Sequence, residues 1–289
     1  MSLEASELIL NEDQSIYHLN LHPEDISETI ILVGDPARVA RVSACFDSLE
    51  IQKSKREFVT HTGWYKGKRL SVVSTGIGTD TVDIVLNELD ALVNIDFQKK
   101  RVKKTLTRLN LIRLGTSGSI QPDIAIGSIV LSELAIGFDG LLQFYDSGSV
   151  QMADVQFAFM EYSGWSVLKA VPYVVQATPE LSKKLDSEEV IKGFTATNPG
   201  FYGPQGRSLR LGLEDPELNK KLTSFRYKGK RITNMEMETA GIFGLAALLG
   251  HAAASVNCIL ANRPNRTFSS NPSQDVDRLI RYTLDKLTS

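Results

Sequence analysis

The chain has 289 residues, 42% of them hydrophobic and 23% charged, and a formal charge of −2, an ordinary globular composition with length enough for a large core. Near-neutral charge excludes a general attraction to nucleic acid or to an anionic membrane, leaving small molecules and further copies of the chain as expected partners. The cysteines, Cys45 and Cys258, lie far apart without the CxxC spacing of zinc or redox sites, so a reducing compartment is expected.

Glu4, Glu7, Glu12 and Asp13 precede any basic cluster, the wrong charge order for a secretory signal, and the cytoplasm is the expected location. Short apolar, β-branched runs at 29–33, 70–74, 111–114, 128–131, 193–197 and 254–260 predict strands. Helical spacing covers 80–92, 179–185, 236–249 and 273–287. The apolar stretch 240–261 is broken by Gly250, His251, Ser255 and Asn257, which predicts a buried helix then a buried strand rather than a membrane span. Apolar strands alternating with helices imply a largely parallel sheet covered on both faces, one unit over 1–289. The basic run 98–104 is read as a solvated helix face without function.

Three strands are expected to end in glycine-bearing turns: Gly34-Asp35-Pro36, Gly76-Ile77-Gly78 and Gly115-Thr116-Ser117-Gly118. Ligand crevices in open α/β sheets lie beyond the carboxyl ends of strands, so the three turns should share one site. Backbone amides and Arg38 after the first turn could face an anion. The second turn lacks the lysine of a P-loop, so nucleoside triphosphate binding has no support. Arg113, inside an apolar strand, demands either an anionic ligand or a buried carboxylate.

Phe201-Tyr202 followed by Gln205 and Arg207 could stack on a flat ring and grip its polar edge. Glu236 and Glu238 are expected at the start of an apolar helix, where negative charge is favoured and one carboxylate could accept two sugar hydroxyls.

In their order and spacing these segments, from about Tyr17 to Asn262, resemble the nucleoside phosphorylase family, most closely its uridine phosphorylase branch. The resemblance implies a three-layer αβα fold with a mixed, largely parallel central sheet, and phosphate-dependent cleavage of uridine. It implies a phosphate site of Gly34, Arg38, Arg113 and Thr116, completed by Arg56 of a neighbouring subunit. His18 would reach the ribose, also across the boundary, beside Met237 and Glu238. Phe201 would pack on the base while Gln205 and Arg207 read its edge, with Arg113, Gln205 and Arg207 as the catalytic set.

No cofactor is implied, inorganic phosphate being a co-substrate. A potassium ion at a subunit boundary could use Glu57, Ile77 and Thr81. The implied assembly is a homodimer with shared sites, or a hexamer built as a trimer of dimers. Purine phosphorylases of the family carry an aspartate after the final strand, where this chain has Asn262-Arg263, and family hydrolases lack the set Arg38, Arg56 and Arg113. Those two activities, and a non-catalytic nucleoside-binding protein, are the alternatives. An extension at 92–109 and loose agreement over 144–175 depart from the bacterial pattern.

Overall fold

Five consecutive buried residues make up the first strand, β1 (Thr29–Val33), which must therefore be covered on both faces. Ile30 and Leu32 enter one apolar cluster with Val85, Leu89 and Phe243. Ile31 and Val33 enter another with Val39, Leu279 and Leu284. The alternation of side chains along a strand thus feeds two separate cores.

The computed structural model describes residues 3–289; residues 1 and 2 of the expected unit lie outside the described residues. The remaining strands are β2 (Ser48–Lys55), β3 (Phe58–Tyr65), β4 (Lys68–Ser74), β5 (Ile95–Asp96), β6 (Arg101–Val102), β7 (Asn110–Ser119), β8 (Ile129–Gly137), β9 (Tyr173–Gln176), β10 (Val190–Thr197), β11 (Arg226–Tyr227), β12 (Lys230–Glu236), β13 (Ala252–Asn262) and β14 (Thr267–Phe268). The α-helices are α1 (Pro36–Ser43), α2 (Thr79–Asn94), α3 (Ala153–Ser163), α4 (Pro179–Lys184), α5 (Leu218–Ser224), α6 (Thr239–Leu249) and α7 (Pro272–Thr288).

Twelve strands form one mixed sheet in the order β11-β12-β10-β8-β13-β7-β1-β4-β3-β2, with β9 beside β8 and β14 beside β13. The runs β4-β1-β7-β13 and β8-β10-β12 are parallel and meet at an antiparallel β13–β8 seam. Helices α2 and α6 contribute to the core on one side, α1, α4 and α7 to that on the other, giving the expected three layers. One half of the sheet curls until β12 meets β7 antiparallel, Asn234 opposite Ser119. That curl brings the carboxyl ends of β7 and β12 to one place.

Three sequence expectations need correction. Gly115-Thr116-Ser117-Gly118 is not a turn: β7 continues through it, because β13 pairs with every residue from Asn110 to Ser119. Glu236 ends β12 rather than starting a helix, and α6 begins only at Thr239. The basic run is not helical. It forms the β5–β6 hairpin, with Lys100 in the left-handed region at φ 49°.

The 240–261 stretch does form a buried helix and strand, and no described helix is long and apolar enough to cross a membrane.

Candidate active site

A cleft of about 270 Å³ opens where β1, β7, β12 and β13 end. Gly34, Arg38, Arg113, Thr116, Phe201, Gln205, Arg207, Met237 and Glu238 all line it, as does Ile77. Larger cavities lie elsewhere, among them one of about 480 and one of about 500 Å³. In the first, Lys192, Lys228 and Lys230 are already paired with Asp186, Asp154 and Glu133.

On one side of the cleft, Asp35 caps α1 by accepting from Ala37 N at 2.9 Å, with Pro36 fixing the first helical residue. Arg38 follows one turn on. Its Nη1 donates to the Leu114 carbonyl at 3.3 Å, while its buried Nε has no partner and no carboxylate pairs with it among the described residues. Burial, reinforced by the Arg113 charge, pushes this guanidinium below its ordinary value.

Arg113 is buried and paired. Its Nη2 lies 3.0 Å from Glu236 and 2.5 Å from Glu238, while Nη1 donates to Asn257 Oδ1. Burial alone would lower its pKa, but the two carboxylates more than offset that and hold it above the ordinary arginine value. The buried carboxylate that the sequence left open as a partner is therefore present twice.

The two acids differ. Glu236 Oε2 accepts from Glu238 N, Thr239 N and Thr239 Oγ1, each at 2.9 Å, and Oε1 accepts from Thr197 Oγ1 at 2.6 Å. This carboxylate caps α6, its Oε2 saturated by those donors and Arg113, so that only Oε1 keeps acceptor capacity. Glu238 accepts only from Gly78 N at 2.9 Å and from Arg113, so it keeps lone pairs for hydroxyl donors. Burial, joined by the Glu236 charge, holds its carboxyl above the ordinary glutamate value despite Arg113.

Opposite, the loop 200–207 carries a 3-10 turn, Gly203–Gln205, with Gly206 left-handed at φ 68°. Arg207 Nη1 donates to Phe201 O and to Gln205 Oε1, both at 2.6 Å, and its guanidinium lies 3.8 Å from the Phe201 ring centroid. Arg263 pins the loop from below through Gln205 O and Gly206 O. Burial and the Arg263 charge push Arg207 down to about 10, so it stays charged near neutrality.

His18 and Arg56 do not line this cleft. His18 Nδ1 lies 2.7 Å from Glu88, and the Arg56 guanidinium lies 5.8 Å from the centroid of the neighbouring Tyr17 ring. Arg56 and Glu57 form the exposed β2–β3 turn, Arg56 at φ 55°. Thr81, on α2, donates its hydroxyl to Gly78 O at 3.0 Å. Glu57, Ile77 and Thr81 thus lie on a turn, a loop and a helix.

Asn257, Glu236 as a partner of Arg113, and Arg263 as a loop anchor were not read from sequence. Their signal was polarity inside apolar runs: Ser255 and Asn257 alternate within β13.

A half-buried cation without a carboxylate partner, a carboxylate with free acceptor capacity and an aromatic-lined loop give this cleft the chemistry to hold an anion together with a hydroxyl-bearing ring compound. Residues 28–283 match the model of the phosphorylase superfamily, and the chain belongs to that family. It is 31% identical to a uridine phosphorylase of Thermococcus kodakarensis over 89% of this chain and 81% of that protein. A DeoD-type purine nucleoside phosphorylase of Caldanaerobacter subterraneus is 29% identical over 83% and 84%. The crystal structure of a Trypanosoma brucei nucleoside phosphorylase that shows uridine phosphorylase activity superposes with a TM-score of 0.87 at 28% identity, covering 97% of this chain and 99% of that one.

Proposed function

We propose that the chain is a pentosyltransferase that uses inorganic phosphate to cleave uridine reversibly to uracil and ribose 1-phosphate. The observation that carries this reading is Arg38: a guanidinium with a buried, unpartnered Nε beside Arg113 in a cleft that also holds Gln205 and Arg207. Leaving such a donor unsatisfied costs about 1–3 kcal/mol, which an anionic ligand would offset.

Phosphate held by Gly34, Arg38, Arg113 and Thr116 would attack the anomeric carbon. A carbon–oxygen bond to phosphate forms as the carbon–nitrogen bond breaks, its electron pair leaving on uracil. Phosphate charge stabilises the cation-like sugar, and Arg207 and Gln205 stabilise the departing base. Met237 and Glu238 would hold the ribose and Phe201 would pack on the base. Arg263 anchoring the base loop, where an aspartate would suit a purine, favours the pyrimidine.

His18 and Arg56, both outside the cleft and on neighbouring segments, support a dimer in which each serves the partner's site. An inactive His18 variant mixed with an inactive Glu238 variant should then regain activity once subunits exchange, and no recovery after proven exchange would refute sharing.

The primary test is uridine incubated with and without phosphate, following free uracil, with inosine in parallel. Uracil released only with phosphate is the expected result. Release without phosphate would make the protein a hydrolase, inosine cleavage a purine enzyme, and binding without turnover a nucleoside-binding protein.

A further inference from the structure

Arg113 and Gly115 are two residues apart on β7 and share one face, and across the parallel ladder Ser255 pairs with Arg113 and Asn257 with Gly115. The four side-chain positions therefore form one square on the sheet. Gly115 leaves its corner empty, and the Arg113 side chain lies forward across it to reach Asn257.

The polar groups around this square close into a ring. Asn257 Nδ2 donates to Ser255 Oγ at 3.0 Å, Ser255 Oγ and Thr239 Oγ1 are 2.9 Å apart, and Thr239 Oγ1 donates to Glu236 Oε2 at 2.9 Å. Glu236 Oε2 is in turn 3.0 Å from Arg113 Nη2. The directions are fixed, since a guanidinium only donates, so Asn257 must present Oδ1 to Arg113 and its amide hydrogens to Ser255. Thr239 gives its hydrogen to Glu236, so Ser255 gives its own to Thr239. Asn257, Ser255, Thr239 and Glu236 are all buried, where a fully satisfied network is rigid and a broken one is costly.

We infer that Asn257 is a positioning residue for the phosphorolytic site: with Ser255 and Thr239 behind it, it fixes the guanidinium of Arg113 in the orientation that receives phosphate. This rests on the reading of Arg113 as a phosphate ligand. Glu236 and Glu238 both hold it from one side, on Nη2, and would by themselves draw the guanidinium toward the sugar side of the cleft. Asn257 opposes them on Nη1 with a neutral acceptor, adding no negative charge where the phosphate must sit. A carboxylate at 257 would be a third acid around one cation and would repel the anion.

The test compares Asn257→Leu, close in volume but without polar atoms, Ser255→Ala, which breaks the ring one residue behind, and Asn257→Asp. Phosphate affinity is measured by calorimetry with inorganic phosphate alone, and KM for phosphate and for uridine separately. Asn257→Leu is expected to weaken phosphate roughly ten- to a hundredfold while KM for uridine moves less than about threefold. Ser255→Ala should weaken phosphate by a smaller factor, and Asn257→Asp at least as much as Asn257→Leu. Equal phosphate affinity in wild type and Ser255→Ala, with Asn257→Leu either unchanged or lowering both KM selectivity and folded fraction without a phosphate-specific loss, overturns the inference. Wild-type protein that binds no phosphate overturns the functional reading beneath it, a distinct result.

Discussion

Arg113 occupies the space that a Cβ on Gly115 would need: its guanidinium nitrogen and carbon atoms stand across that position. The glycine is thus required by a side chain from two residues earlier on the same strand, and not by a turn, since Gly115 is absent from the residues with positive φ. The cation most central to the cleft depends on an absence of atoms beside it.

Gly115→Ala should therefore displace Arg113 and leave Glu236 and Glu238 buried without their cation. Breaking a buried pair in this way costs about 3–5 kcal/mol. A large fall in the denaturation midpoint, together with loss of phosphate saturation, is the expected outcome. An unchanged midpoint and phosphate KM would mean that Arg113 has a second place to lie.

Arg38 should behave in the opposite sense. With Nε unpartnered and one long bond to Leu114 O, it contributes little to the fold, and Arg38→Met keeps the length of the chain while removing the charge. Unfolding free energy should stay within about 0.5 kcal/mol or rise. Phosphate affinity should fall by about 1.5–3 kcal/mol, the worth of a hydrogen bond from a charged donor. Loss of stability without loss of phosphate binding would make Arg38 structural.

Apolar continuity made β1 legible in the sequence, because a strand covered on both faces needs no polar side, and β10 and β13 were legible from their apolar and β-branched residues despite Thr195, Ser255 and Asn257. The β2–β3 hairpin was not, since β2 is largely exposed and polar, Ser48 to Lys55, and β3 interleaves His61 and three threonine or glycine positions with its apolar ones. Glycine at 115 and 118 made the end of β7 look like a turn, although it is the neighbouring Arg113 side chain that excludes a Cβ at 115. The residues of the cleft were found through family resemblance more than periodicity. The hydrogen bonds that orient them, from Asn257, Glu236 and Arg263, come from segments 120 or more residues away from Arg113 or 50 or more from Gln205, and no local pattern records such pairings.

The raised pKa of Glu238 predicts an acid limb in kcat/KM for uridine that lies above the ordinary glutamate value of 4.5, because the sugar contact proposed for it uses the ionised carboxylate as acceptor. The same shift has a stability sign. A folded-state pKa above the unfolded one gives a contribution fully present below the unfolded value and lost as pH rises through the folded one. Ionised Glu238 thus costs stability in the range where it serves the substrate. Glu238→Gln should lose the limb and reduce kcat/KM, whereas a wild-type limb at or below 4.5 would contradict the shift.

Arg207 and Arg263 should prove non-additive. Removing Arg207 takes away the donor proposed to stabilise the departing base, with an expected effect of about 3–4 kcal/mol or a hundredfold and more in kcat. Arg263→Ala removes the anchor beneath Gln205 O and Gly206 O and, by lifting a like charge, lets the Arg207 pKa rise from about 10. Arg207 stays protonated at neutral pH in both proteins, so any fall in kcat of Arg263→Ala reflects misplacement of the loop and not a lost charge. That fall should be smaller than for Arg207→Ala, with KM for phosphate unchanged in each. If Arg263 acts only by placing Arg207, the double variant should be no slower than Arg207→Ala alone; a product of the two single losses would mean that Arg263 also acts apart from Arg207, through the Gln205 it anchors or on the reacting groups directly.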